Sequence, residues 1–300
     1  MSHLIPLIEA ELAEPVDPRV SAFAATVAAQ YGDASRAVLF YGSCLRTTEL
    51  EGQMLDFYLI VSTYEAAYGK SWLVRANKLL PPNVFPAEHD GLVAKIAVLS
   101  EEDFHHLNGL DASAVSVWAR FSQPSRLAWC ANDTARGKVA AAIARAPITL
   151  FELTLPVLGT QPQAPMLIWH RGFELTYGAE LRAERTNRPG SVVDADPDRY
   201  QRFGLATMVT LQDQDPSESG ELSTAEAEKR WKVLRRNGKL LTLARLAKAS
   251  GTYAGGIDYL AWKINRHAGT SYEIKPWQRK WPILGALTML PRLFAGGAIK

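Results

Sequence analysis

Apolar residues in the first hundred positions fall into two rhythms, short continuous runs and helically spaced faces, and their alternation predicts the elements. Residues 18–30 carry the spacing of an amphipathic helix. Val38–Tyr41 and the run DFYLIV, which begins at Asp56, are continuous, β-branched and aromatic, so both predict buried strands. A second helix is expected over 64–80, closed by Pro81 and Pro82. Asn83–His89 and Leu92–Leu99 predict two further strands, joined at the tight turn signal His89-Asp90-Gly91, and EEDF after Ser100 opens another helix. A sheet built first, with helices added to one side, predicts an α+β domain over residues 1–125. Segments near 134–147, 164–186, 224–249 and 254–267 predict a mostly helical part over 126–274. Residues 187–221, interrupted by Pro, Gly and Asp, predict a connector, in part mobile.

Composition adds little to this outline except at the ends. Three hundred residues with 47% hydrophobic and 21% charged side chains suffice for a full core without covalent staples. The two cysteines, Cys44 and Cys130, form no CxxC pattern, which argues against zinc and for a reducing compartment. No stretch resembles a signal peptide and no run of eighteen apolar residues occurs, so the expectation is a cytoplasmic protein or one attached to a membrane face. The formal net charge is only +2, but it is unevenly spread. The chain turns basic from Lys229 and carries no acidic residue after Glu273, which points to a polyanion or an anionic bilayer.

The candidate chemistry lies between Arg36 and Val61. Strand Val38–Tyr41 ends at Gly42-Ser43, a turn that lets backbone come close to a triphosphate while amides and a hydroxyl donate to it. Thr47 and Thr48, followed by Glu49 and Glu51, predict the capped start of the next helix. Asp56 then stands at the mouth of a buried strand, placed to hold Mg²⁺ against nucleotide phosphates. Gly-Ser is also a common turn and Asp before a strand a common cap, but together at this spacing they suit nucleotidyl transfer. Cys44 reads as packing rather than as a nucleophile.

The Gly-Ser and Asp-Phe pair resembles nucleotidyltransferases of the DNA polymerase β type, with one departure: that superfamily carries a second carboxylate two residues on, where this chain has Tyr58. Further pieces follow in order. They are Lys95 within LVAKIAVLS, VWARFSQPSRLAWC at 117–130 and ELTYGAELRAE at 174–184. The set is similar to the mitochondrial-type phosphatidate cytidylyltransferase family, as scattered short matches over roughly residues 36–185. That family shows a Gly-Ser turn before an Asp-Phe strand, a Lys on a strand, an Arg-x-x-Gln-x-Pro segment and a Tyr-x-x-Asp-x-Arg segment. The resemblance implies a polymerase-β-like domain with a mixed sheet, and a peripheral membrane enzyme making CDP-diacylglycerol from CTP and phosphatidic acid with Mg²⁺. It further implies that Gly42 and Ser43 hold the triphosphate, Asp56 binds the metal, and Lys95 neutralises phosphate charge. Arg120, beside Gln123 and Pro124, would lie at the cleft, and Glu180, where the family has Asp, would supply the missing metal ligand with Arg182 beside it. Each has an ordinary alternative: a strand-edge lysine reaching water, a surface helix end, a Glu-Arg helix face. Cys44 replaces a family glycine. His89 and Asp90 have no family counterpart, and His89 is either a phosphate or metal contact or a turn residue.

Residues 275–300 set Lys275, Arg279, Lys280 and Arg292 among Trp277, Trp281, Leu284, Leu287, Leu290, Leu293 and Phe294, the pattern of an interfacial membrane anchor; a terminal helix docked on the core is the alternative. Three other readings stay open. The acceptor is a different phosphate, such as a phosphorylated sphingoid lipid; the basic run 229–248 binds nucleic acid, disfavoured by its leucines at helical spacing; or the chain is a noncatalytic nucleotide-binding module, as Tyr58 would allow.

Overall fold

The computed structural model describes residues 3–47, 49–159, 163–179, 191–213, 222–252, 261, 265, 272–281, 285 and 288. Its architecture is α+β. Five strands, β1 (Ser35–Tyr41), β2 (Met54–Val61), β3 (Asn83–His89), β4 (Leu92–Ser100) and β5 (Ser125–Cys130), form one sheet in the order β3-β4-β2-β1-β5. The sheet is mixed: β2 and β4 run parallel, while β1 pairs antiparallel with both β2 and β5, and β3 with β4. The β3–β4 turn lies where expected, with Asp90 and Gly91 both at positive φ, the conformation of a two-residue hairpin turn.

Side-chain alternation divides the sheet's two faces. Val38, Phe40, Leu55, Phe57, Leu59, Ile96 and Val98 pack on Phe23 and Val27 of α2 (Pro18–Ala29). Leu39, Tyr41, Tyr58, Ile60, Ala97 and Leu99 face the other way and join the core of the helices. That core includes α1 (Ile5–Ala13), α6 (Glu101–Leu107), α7 (Trp118–Phe121) and α8 (Asp133–Leu158), followed by α9 (Pro165–Ala179), α11 (Pro197–Gln212) and α12 (Thr224–Thr252). Helices therefore cover both faces, rather than one as expected. α8 is long and apolar enough to cross a membrane, yet most of its apolar length is buried within the protein, as for a central core helix.

Several elements differ from the sequence pattern. The helix expected from Thr47 instead begins at Ser43 and ends at Thr47 (α3), so Gly42 leads directly into it. The helix expected over 64–80 breaks at Gly69 into α4 (Tyr64–Tyr68) and α5 (Trp72–Leu79). The sheet extends past residue 125 by taking in β5. α8 continues through Pro147 and Pro156, because tertiary burial of Phe151, Leu150 and Leu153 outweighs the lost backbone donors. The connector expected over 187–221 contains α10 (Ser191–Asp194) and the sixteen-residue α11, capped by Asp196 and started by Pro197. The helix expected over 254–267 lies almost wholly outside the described residues.

α12 is tied to the sheet's β3 side by cations on carbonyls. Arg245 donates through Nε to Pro81 O (2.8 Å) and through Nη1 to Ser116 Oγ (2.9 Å), and Lys248 Nζ donates to Leu80 O and to Pro82 O (2.8 Å). Burial, and then the neighbouring Arg245, pull the Lys248 ammonium from the usual 10.5 down to about 7. Between those two values the unfolded chain holds a proton that the folded chain does not, so stability should rise with pH from about 7 towards 10.5. Urea midpoints at pH 6.5 and 9.5 check this: Lys248→Met should flatten the rise, and an equal slope in both proteins would exclude Lys248 as its source.

Candidate active site

The candidate site lies where β1 ends and β2, β4 and β5 begin, on the edge of the face shared with the helices. Register brings it together. Tyr41 pairs with Asp56 across β1 and β2, Asp56 pairs with Lys95 across β2 and β4, and Tyr41 pairs with Ser125 on β5. Asp56 Oδ1 lies 3.0 Å from Lys95 Nζ, an ion pair that is partly open to solvent. Of the sequence-predicted residues, Gly42, Ser43, Asp56, Lys95 and Arg120 are thus in one neighbourhood.

Gly42 has a structural reason to be glycine. Its φ is +94°, and a Cβ there would lie 2.8 Å from Asp56 Oδ2. The bare backbone therefore makes room for the carboxylate, and Ser43, the first residue of α3, is exposed beside it. Cys44 is buried behind this turn, its Sγ donating to Met54 O at 3.5 Å. Burial pushes its thiol up, and Asp56 adds to the shift, so Cys44 stays a neutral packing group.

Arg120 stands over the Tyr41 ring, 5.7 Å from its centroid, in cation–π contact. A further cation was not singled out from sequence: Arg46, on α3 three residues after Ser43, donates through Nη1 to Gln123 Oε1 at 3.4 Å. Gln123 in turn donates to Ala119 O at 3.0 Å, which holds the turn between α7 and β5. The spacing Ser43 to Arg46 was the available signal, since both fall within one turn of a helix that begins at Ser43 rather than at Thr47. Lys95 lies beside Asp56, and Arg46 and Arg120 add two cations on the flanking α3 and α7, a set that suits a polyphosphate.

Tyr58 is packed between Tyr41 (5.2 Å between ring centroids) and Phe121 (5.2 Å) and is 3% exposed. The position of a second strand carboxylate is thus an aromatic core position. Among the described residues no group of three or more His, Cys, Asp or Glu side chains could hold a metal. One carboxylate fits a Mg²⁺ that keeps water and takes its other ligands from substrate phosphates. Glu180 and Arg182 lie outside the described residues. His89 is directed away from the site: its ring packs on Phe23 of α2 (5.5 Å) and its Nδ1 lies 3.5 Å from Thr26 Oγ1.

In the C-terminal segment, Pro276–Lys280 forms a short helix, α13, with Trp277 (44%) and Trp281 (59%) exposed. Gln278, on its other side, is buried and donates to Tyr272 Oη (2.7 Å) and Thr288 Oγ1 (3.1 Å). Arg292 and the leucines and phenylalanine of this segment lie outside the described residues.

No family model and no curated protein matches the chain. Among solved structures it is similar to a nucleotidyltransferase-like protein from Exiguobacterium sibiricum, at 11% identity over 93% of this chain and 91% of that one. The TM-score is 0.27, a level at which the likeness carries no argument about fold or activity.

Proposed function

We propose that this chain is a nucleotidyltransferase that moves a cytidylyl group from CTP to a lipid phosphate, phosphatidic acid foremost, and releases pyrophosphate. The observation that carries the reading is the Gly42–Asp56–Lys95 cluster: a carboxylate held at a strand mouth against a side-chain-free turn and paired with a strand lysine at 3.0 Å. The cytosine base and the lipid acceptor are supported only by the motif resemblance.

In this scheme an oxygen of the acceptor phosphate monoester attacks the α-phosphorus, a P–O–P bond forms, and the α–β bond breaks with pyrophosphate leaving. A phosphate monoester, with a second pKa of about 6, is already largely ionised, so no strong general base is required. Gly42 and Ser43 would bring backbone donors to the triphosphate, and Lys95, Arg46 and Arg120 would offset charge on its oxygens. Asp56 would hold Mg²⁺, which supplies electrostatic stabilisation of the phosphates, with Glu180 as a further ligand. Lys95 would exchange Asp56 for phosphate as substrate enters. Trp277, Arg279, Lys280 and Trp281 would keep the chain at the bilayer surface, as a peripheral protein on the cytoplasmic side.

Purified protein with CTP labelled at the α-phosphate, Mg²⁺ and phosphatidic acid in mixed micelles should move label into the organic phase, and Asp56→Ala should remove at least about 10³-fold of that rate. Equal transfer by the variant would refute the assignment of Asp56. Absence of label with all lipid phosphates and nucleotides would favour the noncatalytic reading, whose specific support is the buried Tyr58.

A further inference from the structure

α12 has two faces of opposite character. Ala227, Trp231, Leu234 and Gly238 are buried. Trp231 donates through Nε1 to Leu153 O of α8 at 2.8 Å, and a Cβ on Gly238 would fall 2.1 Å from Ala179 O of α9, so α12 lies pressed onto both helices. Lys229, Lys232, Arg235, Arg236 and Lys239 are all exposed on the outward side. At about 100° per residue they share an arc of roughly 120°, spread over about 15 Å of helix. Among the described residues none of the five is ion-paired to a carboxylate; Arg236 lies against Asn237, and Glu226, at the N-terminal end of the strip, accepts from Ser223 N and Oγ. Exposed Glu228 is the other acidic residue along this stretch, and Leu240, 59% exposed, adjoins the strip's far end.

Exposed Glu228 falls within the same arc, so the face carries five cations against one carboxylate, an excess that is costly to keep together unless something anionic faces it. The shape of the face selects the partner. A helix of about 10–12 Å diameter can enter a duplex major groove about 12 Å wide only if its flanks are free. Here one side of α12 is sunk against α8 and α9, and the exposed strip offers no aromatic side chain on which a base would stack. What remains is a flat, cationic strip with an aliphatic side chain at its edge, complementary to a plane of phosphates.

We infer that the outward face of α12, through Lys229, Lys232, Arg235, Arg236 and Lys239, docks on an anionic lipid leaflet. This goes beyond the proposed transfer reaction and does not depend on it, because it assigns an orientation on the bilayer rather than a substrate. Stable attachment ordinarily needs two signals, and the exposed tryptophans of α13 beside Lys275, Arg279 and Lys280 would be the second.

The test is co-sedimentation of the full chain with vesicles of phosphatidylcholine containing 30% phosphatidylserine, against phosphatidylcholine alone. Each basic residue near such a surface contributes about fivefold in partitioning, so Lys232→Gln, Arg235→Gln and Lys239→Gln combined should weaken partitioning on the order of a hundredfold. Raising ionic strength should weaken the wild type in the same direction. Should the triple variant melt differently from wild type, Arg235→Gln alone, with the salt series, gives the same reading on a smaller scale. Unchanged partitioning by the variant, failure of the wild type to bind, or equal binding to uncharged vesicles would overturn the inference. So would a variant that loses affinity for duplex RNA while holding vesicles normally. Cytidylyl transfer in detergent micelles should survive in the triple variant, and Asp56→Ala should still bind vesicles, so the two proposals fail separately.

Discussion

Arg199→Leu should unfold at markedly lower urea than wild type, by about 3–5 kcal/mol, because it strands a buried carboxylate. Arg199, 4% exposed, forms a two-pronged pair with Glu11: Nε meets Oε2, and Nη2 meets Oε1 at 3.0 Å. Its remaining arm donates to Ser122 O at 3.2 Å, and Glu11 Oε1 also accepts from Ser125 N at 3.4 Å. The guanidinium is further stacked over Phe203, 4.2 Å from the ring centroid. Burial opposes this charge and Glu11 favours it, and the guanidinium remains held in its charged form. Arg199→Lys should recover only part of the loss, since one ammonium cannot serve Glu11 and Ser122 in the same geometry. The joint replacement Glu11→Leu with Arg199→Leu should be milder than Arg199→Leu alone, because no charge is then left buried without its partner. Additive losses in that cycle would mean that the pair is not coupled and that packing alone accounts for the cost.

Gly42→Ala should reduce the proposed nucleotidyl transfer by about 100-fold while costing only about 1–2 kcal/mol of stability. The stability term is the strain of an L-residue at φ +94°. The activity term is displacement: the new methyl would lie 2.8 Å from Asp56 Oδ2 and 3.4 Å from its Cβ, so the carboxylate must turn away from Lys95. Gly52→Ala is the matched control. It too has positive φ (+66°), but nothing lies within 4 Å of its would-be Cβ, so it should share the strain and keep the activity. If both variants lose activity equally, general backbone strain is responsible and Gly42 has no special relation to Asp56.

The sheet and the grouping at the heart of the candidate site were legible because they are made from continuous apolar runs with a polar residue at a strand mouth. β1, β2, β3, β4 and the 90–91 turn all follow that signal, and Asp56 and Lys95 are brought side by side by the parallel register of β2 and β4. β5 escaped notice because SRLAWC carries an arginine and little apolar length, and is a strand only because β1 offers it a partner. α11 escaped notice because its helical stretch sits among Pro, Gly and Asp residues, two of which, Asp196 and Pro197, in fact start it. Arg46 was hidden by a misplaced helix start: once α3 begins at Ser43 rather than Thr47, Arg46 turns toward Gln123. The Glu11–Arg199 pair has no sequence signal at all, since 188 residues separate its partners.

That separation has a bearing on how the chain is made. During synthesis Glu11 leaves the ribosome long before Arg199, so α1 cannot be seated under the α7–β5 turn with its charge compensated until most of the polypeptide has emerged. The same holds for the start of β5, where Glu11 accepts from Ser125 N. Any shortened chain that stops ahead of residue 199 would carry all the strands of the sheet and still lack the cation that completes it. Seating of the start of β5 would then be a late event, dependent on a helix that contributes nothing to the sheet itself.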